Sequence, residues 1–180
     1  MIYDKAIEGK FVTLKSITLE DAEFSYNLRK DPRFVDIMGQ PAKTLEDQKK
    51  FIEWQMKQPG DYYFVVFNKS GDKIGLTGIY NIEGDTGEAG REINIGKPNE
   101  TIETQVLLTD FCIDVLGLKN RKAVVYKSNQ KQINLLKHFK CLPKCETVRS
   151  GIPSYEYEQT FEFIRQSQKR ARKLLSEMSL

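Results

Sequence analysis

The chain runs to 180 residues, 39% hydrophobic and 29% charged, with a formal net charge of +3. That balance fits one globular domain with a sizeable core, makes no broad electrostatic case for nucleic acid, and includes no apolar run near the roughly 20 residues of a membrane span. The opening MIYDKAIEGK has acids and no apolar signal-peptide stretch, and Cys112, Cys141 and Cys145 form no C-x-x-C pair, so reduced thiols and a cytoplasmic location are expected.

The single histidine, His138, narrows the chemistry further. A His-rich metal site is unavailable, and Cys141-x-x-x-Cys145 is a poor zinc pattern. His138 itself lies among lysines in a helical stretch, where a surface position is the plainer reading. No metal is expected. Carboxylates, hydroxyls, backbone groups or a cofactor must supply whatever reaction occurs.

In chain order, residues 10–14 (KFVTL) read as a short strand. Thr18-Leu19-Glu20-Asp21 has the form of a capping box and opens a helix to about Lys30. Thr44-Leu45-Glu46-Asp47 repeats it for a helix through about Lys57. Between them the loop 33–43 carries Phe34, Ile37, Met38, Gly39 and Pro41, a candidate acceptor-pocket wall unless these residues pack on the core.

Three strands in a meander follow: 62–68 (YYFVVFN), 73–82 (KIGLTGIYNI) and 87–95, joined by turns at Ser70-Gly71-Asp72 and Gly84-Asp85-Thr86-Gly87. Gly75 and Gly78 mark bulges or close backbone approach. Gly96-Lys97-Pro98-Asn99 breaks the third strand, and from Ile102 to Leu116 the spacing predicts a helix with almost no polar face, normally buried. A strand feeding through a tight loop into a helix aims free N–H groups and a positive helix end at one spot, which suits phosphate.

Residues 121–126 (RKAVVY) predict a strand parallel to its predecessor across a right-handed crossover. Asn129 begins a short helix with Ile133, Leu136 and Phe139 toward the core. Residues 148–150 read as a strand edge. Residues 155–163 read as a strand, aromatic at Tyr155, Tyr157, Phe161 and Phe163 and polar between. A domain over 1–165 and a basic helix or tail over 166–180 are expected. The fold class is α+β, a mixed central sheet of about seven strands flanked by helices on both faces.

Four segments carry a family resemblance: GKFVTLKSITLEDAEFSYNLRKDP (9–32), KIGLTGIYNI (73–82), GEAGREINIG (87–96) and SNQKQINLLKHF (128–139). Together with the order β-α-α-β-β-β-loop-α-β-α-β-β, they resemble the general N-acetyltransferase (GNAT) superfamily, in its ribosomal-protein N-acetyltransferase branch, over most of residues 9–163. The resemblance implies the GNAT fold and an acetyl-CoA cleft where the Glu88 and Arg121 strands splay apart. It implies that backbone groups of Ile93, Asn94 and Ile95 pair with the pantetheine and polarise the thioester carbonyl. Lys97, Asn99, Glu100, Thr101 and Ile102 would hold the pyrophosphate. Asn129 would reach the pantetheine or adenylate arm, with Asn134 also among the cofactor contacts. A thioester is already reactive, so the protein mainly holds an amine in line and stabilises the oxyanion.

Two departures from the family pattern stand out. The loop KPNETI lacks the glycines that let backbone N–H groups approach a pyrophosphate, and Glu100 and Glu103 should weaken the attraction, which Lys97 offsets in part. Leu136 stands where many relatives carry the Tyr that protonates the leaving thiolate, although a thiolate leaves without a strong acid.

Glu88 is the first candidate base, because a strand carboxylate a few residues before the polarising amides recurs in the family. Glu92 is the second, and alternation puts it on the same strand face. Either could instead be a solvated strand residue or an ion-pair partner. The implied function is acetyl transfer from acetyl-CoA to a primary amine of a small molecule, an amino sugar or nucleotide-linked amino sugar. Acetylation of a protein N-terminus and a CoA-binding module without turnover stay open. A solvated helix end accounts better than nucleic-acid binding for Lys169-Arg170-Ala171-Arg172-Lys173. A homodimer paired through the 155–163 strand is also open.

Overall fold

The computed structural model describes residues 1–35, 41–138 and 141–179, without the side chains of Leu135 and His138. The expectations for Ile37, Met38, Gly39 and Phe139, and for the His138 side chain, lie outside these residues. The strands are β1 (Ile7–Glu8), β2 (Val12–Ser16), β3 (Tyr62–Asn68), β4 (Lys73–Glu83), β5 (Thr86–Asn94), β6 (Asn120–Tyr126), β7 (Cys145–Arg149) and β8 (Ile152–Thr160). They form one sheet in the order β1-β2-β3-β4-β5-β6-β8-β7, one strand more than the pattern predicts because the two-residue β1 folds back on β2. Among the described strands only β5 and β6 run parallel, as the crossover between them requires.

Two faces are covered differently. Helices α1 (Ala22–Lys30) and α2 (Leu45–Lys57) cover one, packing on Tyr63, Val65, Leu76 and Ile93. Thr44 starts α2 with the expected reciprocal cap, its hydroxyl accepting from the Asp47 amide at 3.1 Å and its own amide donating to Asp47 at 3.2 Å. The other face holds α3 (Pro98–Asp110), its π-helical continuation Phe111–Val115, and the C-terminal α5 (Phe161–Ser167) and α6 (Lys169–Glu177). Phe111 is the hub there, edge-on to Tyr3, Tyr62 and Phe64 at 5.0, 5.3 and 5.2 Å. The carboxylate of Glu103 locks α3 to the sheet by accepting the amides of Lys10, Phe11 and Val12 at 2.9, 2.6 and 2.8 Å. Helix α4 (Gln130–His138) covers β6 and β8 through Ile133, Leu136, Val125 and Tyr157.

Several boundaries differ from the sequence pattern for physical reasons. Helix α3 starts at Pro98, not Ile102, since proline in the first turn loses no intrahelical hydrogen bond. That helix is not buried all round: Ile102 and Val115 are 41% and 52% exposed. The last strand stops at Thr160, whose hydroxyl accepts the Phe163 amide at 3.1 Å and caps α5. The basic C-terminal stretch is docked: Ile164 and Leu175 are buried, and Arg165 and Arg172 reach Asp110 at 2.9 and 2.8 Å. Strand β8 lies between β6 and β7, so its edges are already paired and it cannot join a dimer edge to edge.

The feature that positions the site is the junction of β4, β5 and β6. Gly75 and Gly78 allow the close approach expected of them, because a Cβ would fall 2.6 Å from the Ile93 carbonyl and 2.8 Å from that of Tyr62. Gly78 faces Gly90 and Leu76 faces Ile93, so Arg91 and Glu92 together oppose the single residue Thr77. This is a β-bulge, and Arg91 adopts φ +56° to make it.

Candidate active site

Strands β5 and β6 are paired only at Thr86–Asn120, Gly87–Arg121 and Glu88–Lys122. Beyond them β5 continues on β4 alone, through Asn94, and β6 on β8 alone, through Tyr126. The two strands have therefore parted, opening a slot through the sheet over residues 89–94 and 123–126. The Ile95 amide donates to the Ile74 carbonyl at 2.8 Å. Antiparallel strands alternate the direction of their main-chain groups, so Ile93 also faces β4 and Asn94 faces the slot. Of the three residues expected to offer free amides, Asn94 is the one so placed.

The bulge changes which way the carboxylates point. Alternation alone puts Glu88 and Glu92 on one face; the extra residue at Arg91 puts them on opposite faces. Glu88 lies on the α1 side, where its two oxygens accept from Tyr80 Oη at 3.0 Å, Asn81 Nδ2 at 3.0 Å and both terminal nitrogens of Arg149. Burial pushes its carboxyl upward, but Arg149, Asn81 and Tyr80 outweigh burial and hold it below its ordinary value. Burial and the adjacent Glu88 in turn keep the Tyr80 phenol protonated far above neutrality. Glu92 lies on the α3 side, half-buried, and accepts from Gln105 Nε2 at 3.0 Å. Burial raises its carboxyl, while Gln105 and the nearby Arg121 act against that.

On the α1 face the slot opens into a cavity of about 260 Å³. Its lips are Gly90 of β5 and Val124 of β6, and its walls carry Arg29, Arg91, Arg149, Tyr80 and Tyr126. Gly90 keeps this mouth open to the Tyr80 hydroxyl, since a Cβ there would sit 2.5 Å from it. Arg91 is clamped by Asp61 at 2.6 and 2.8 Å, with its guanidinium 4.1 Å from the Tyr80 ring centroid. No motif singles out Arg29, Arg91, Arg149, Tyr80, Tyr126 or Asp61 as a group, because the first five come from five different elements and Asp61 from the turn before β3.

The slot offers two polar features of its own: the Asn94 main chain faces it, and the Nε of Arg121, at the vertex, is a buried donor with no partner among the described residues. The expected pyrophosphate loop fits less well. Residues 98–102 are the first turns of α3, and the chain's own oxygens already occupy its leading donors. The Gly96 amide donates to Asn94 Oδ1 at 2.8 Å, and the Lys97 amide to Glu100 Oε2 at 2.6 Å. Pro98 has no N–H, so Asn99 and Glu100 supply the helix-start amides without an intrahelical acceptor. Asn129 is likewise committed, capping α4 by accepting the Gln132 amide at 3.1 Å, and Asn134 is exposed on α4. Glu100→Gln keeps this shape and removes one negative charge, so acetyl-CoA should bind about fivefold more tightly at low salt, roughly the 1 kcal/mol of one unit charge at about 4 Å in water. Calorimetric titration of both proteins checks this, and an unchanged or weaker affinity means that the diphosphate lies elsewhere.

Comparison with known proteins agrees with this geometry. Residues 12–141 match the model of the acetyltransferase (GNAT) domain family, and the chain belongs to that family. Its class is therefore that of the acetyl-CoA-dependent N-acetyltransferases. Among solved structures, the chain is similar to a GCN5-related N-acetyltransferase from Brucella melitensis, at 17% identity and TM-score 0.74, covering 93% of this chain and 85% of that one. It is similar to apo FdhC, a nucleotide-linked sugar GNAT, at 17% identity and TM-score 0.76, covering 95% and 97%. It is also similar to spermidine N-acetyltransferase from Vibrio cholerae in complex with CoA and spermine, at 15% identity and TM-score 0.70, covering 85% and 98%. No curated protein gives a significant sequence match. None of the described helices is long and apolar enough to cross a membrane.

Proposed function

We propose that this chain moves an acetyl group from acetyl-CoA to a primary amine of a small molecule, with an amino sugar or a nucleotide-linked amino sugar as acceptor, in the cytoplasm. The observation that carries the proposal is the slot between β5 and β6, with the Asn94 main chain facing it and a polar cavity at its α1 mouth. Such a slot lets a thioester enter from the α3 and α4 side while an amine enters from the other.

In this arrangement the Asn94 amide donates to the acyl oxygen, where negative charge develops. The cavity holds the amine in line with the reactive thioester. Glu88 is the proposed acceptor of the amine's proton, because the Tyr80 and Arg149 that bind it line the cavity. Glu92 is its rival, from the opposite face. Leu136 is buried among Ile133, Val125 and Tyr157, so no acid is assigned at that position and the thiolate takes its proton from solvent.

The test is thiol release from acetyl-CoA over a panel of free amino sugars, nucleotide-linked amino sugars and peptides, with the products weighed by mass spectrometry. Acetylated sugars are expected. Acetylation of peptides alone would replace the sugar reading with protein N-terminal acetylation. Tight acetyl-CoA binding without release on any amine would leave a binding module.

A further inference from the structure

The acceptor-side cavity is unusual in its charge. Arg29, Arg91 and Arg149 line it, against the carboxylates of Asp61 and Glu88, which leaves a surplus of one positive charge. Two of these guanidiniums are committed. Arg91 gives both terminal nitrogens to Asp61, and Arg149 gives both to Glu88. Arg29, near the C-terminal end of α1, has no ion-pair partner among the described residues, although it is only half-exposed. A half-buried guanidinium facing a cavity, with no ion-pair partner among the described residues, has donors to offer to a ligand.

Resting on the acetyl-transfer reading above, we propose that the acceptor carries a phosphoryl group, held by Arg29 with Arg149 behind it, and that this anchor selects among amines. A guanidinium presents paired donors that match phosphate oxygens bidentately. Tyr126 adds to the same cavity an aromatic ring and a hydroxyl of the kind that suits a sugar. A polycationic amine meets the opposite field: the three arginines outnumber the carboxylates of Asp61 and Glu88 by one, so a second ammonium on the acceptor is disfavoured. The phosphoryl group could belong to a sugar phosphate or to a nucleoside-diphosphate sugar, both of which bring the same chemistry to Arg29.

Matched acceptors separate these cases: a free amino sugar, its phosphate ester, the corresponding nucleoside-diphosphate amino sugar, and spermidine. The phosphorylated acceptors should exceed the free sugar in kcat/KM by on the order of 10- to 100-fold, the usual worth of a charged hydrogen bond. Arg29→Gln should shrink that ratio towards one, through KM more than kcat, while Arg29→Lys retains part of it. Rising salt should erode it as well.

Binding is read independently of turnover by titrating a nucleoside diphosphate and inorganic pyrophosphate into protein saturated with CoA, so that CoA's own phosphates are already seated. Binding lost in Arg29→Gln supports the anchor. A diphosphate that binds where pyrophosphate does not favours the nucleotide-linked source. Acetyl transfer that ignores phosphorylation, or that prefers spermidine, overturns the anchor and leaves the acetyltransferase reading standing. Arg29-dependent diphosphate binding without transfer to any amine does the reverse.

Discussion

Replacing Asp61 with alanine is expected to destabilise the fold by about 3–5 kcal/mol, the range for removing one partner of a buried ion pair. Asp61 is 5% exposed and grips both terminal nitrogens of Arg91. Arg91 in turn holds φ +56°, a conformation that costs a non-glycine residue about 1–3 kcal/mol and persists only where its surroundings enforce it. The enforcing groups are the Asp61 carboxylate and the Tyr80, Tyr63 and Phe51 rings around the guanidinium. Without Asp61 the charge stays buried among those rings and the bulge loses its anchor. The double variant Asp61→Ala with Arg91→Gly should recover much of the loss, because glycine tolerates positive φ and leaves no orphan charge. Urea unfolding midpoints of the three proteins measure this. A loss below about 1 kcal/mol for Asp61→Ala would show that the bulge stands without the pair.

The second large effect falls on turnover. Glu88→Gln is expected to lower kcat/KM at least 100-fold, at the low end of what a positioned general base supplies, and to loosen Arg149 in the cavity wall. Because the Glu88 carboxyl sits below its ordinary value, the rising limb of the wild-type pH profile should follow the acceptor amine, not a carboxylate. If Glu92→Gln abolishes transfer while Glu88→Gln spares it, the proton goes to the opposite face of the sheet. Stability gives a further reading of Glu88. A depressed carboxyl contributes stability above its unfolded value of about 4.3 and loses it as pH falls through the folded value. Acid unfolding should therefore begin below about pH 4.3 in the parent, with a shallower dependence in Glu88→Gln.

Much of the architecture is local enough to be legible in the chain. The β3 run YYFVVFN coincides with its predicted limits, and so does the parallel relation of β5 and β6, because apolar runs, turn residues and crossover handedness are all encoded nearby. The site is legible only in part. The family pattern leads to the stretch 93–95 beside the slot, but the bulge just before it is not legible, since an arginine at positive φ carries no sequence signal. One inserted residue reverses every later side chain, and the common face assigned to Glu88 and Glu92 fails for that reason. The guanidiniums are hidden by distance: Arg149 meets Glu88 across 61 positions and Arg91 meets Asp61 across 30. The start of α3 shows the opposite case, in which a proline taken for a break is the first helical residue.

Arg149 rides on β7, the five-residue outermost strand, bonded along one side only. Strands at a sheet's margin open at lower free energy than those at its centre. The part of the cavity wall that Arg149 supplies thus lies on an edge strand, while Asn94 sits on interior β5. A change in β7 can therefore reshape the cavity wall, and through Arg149 the setting of Glu88, without breaking the β4–β5 pairing that holds Asn94.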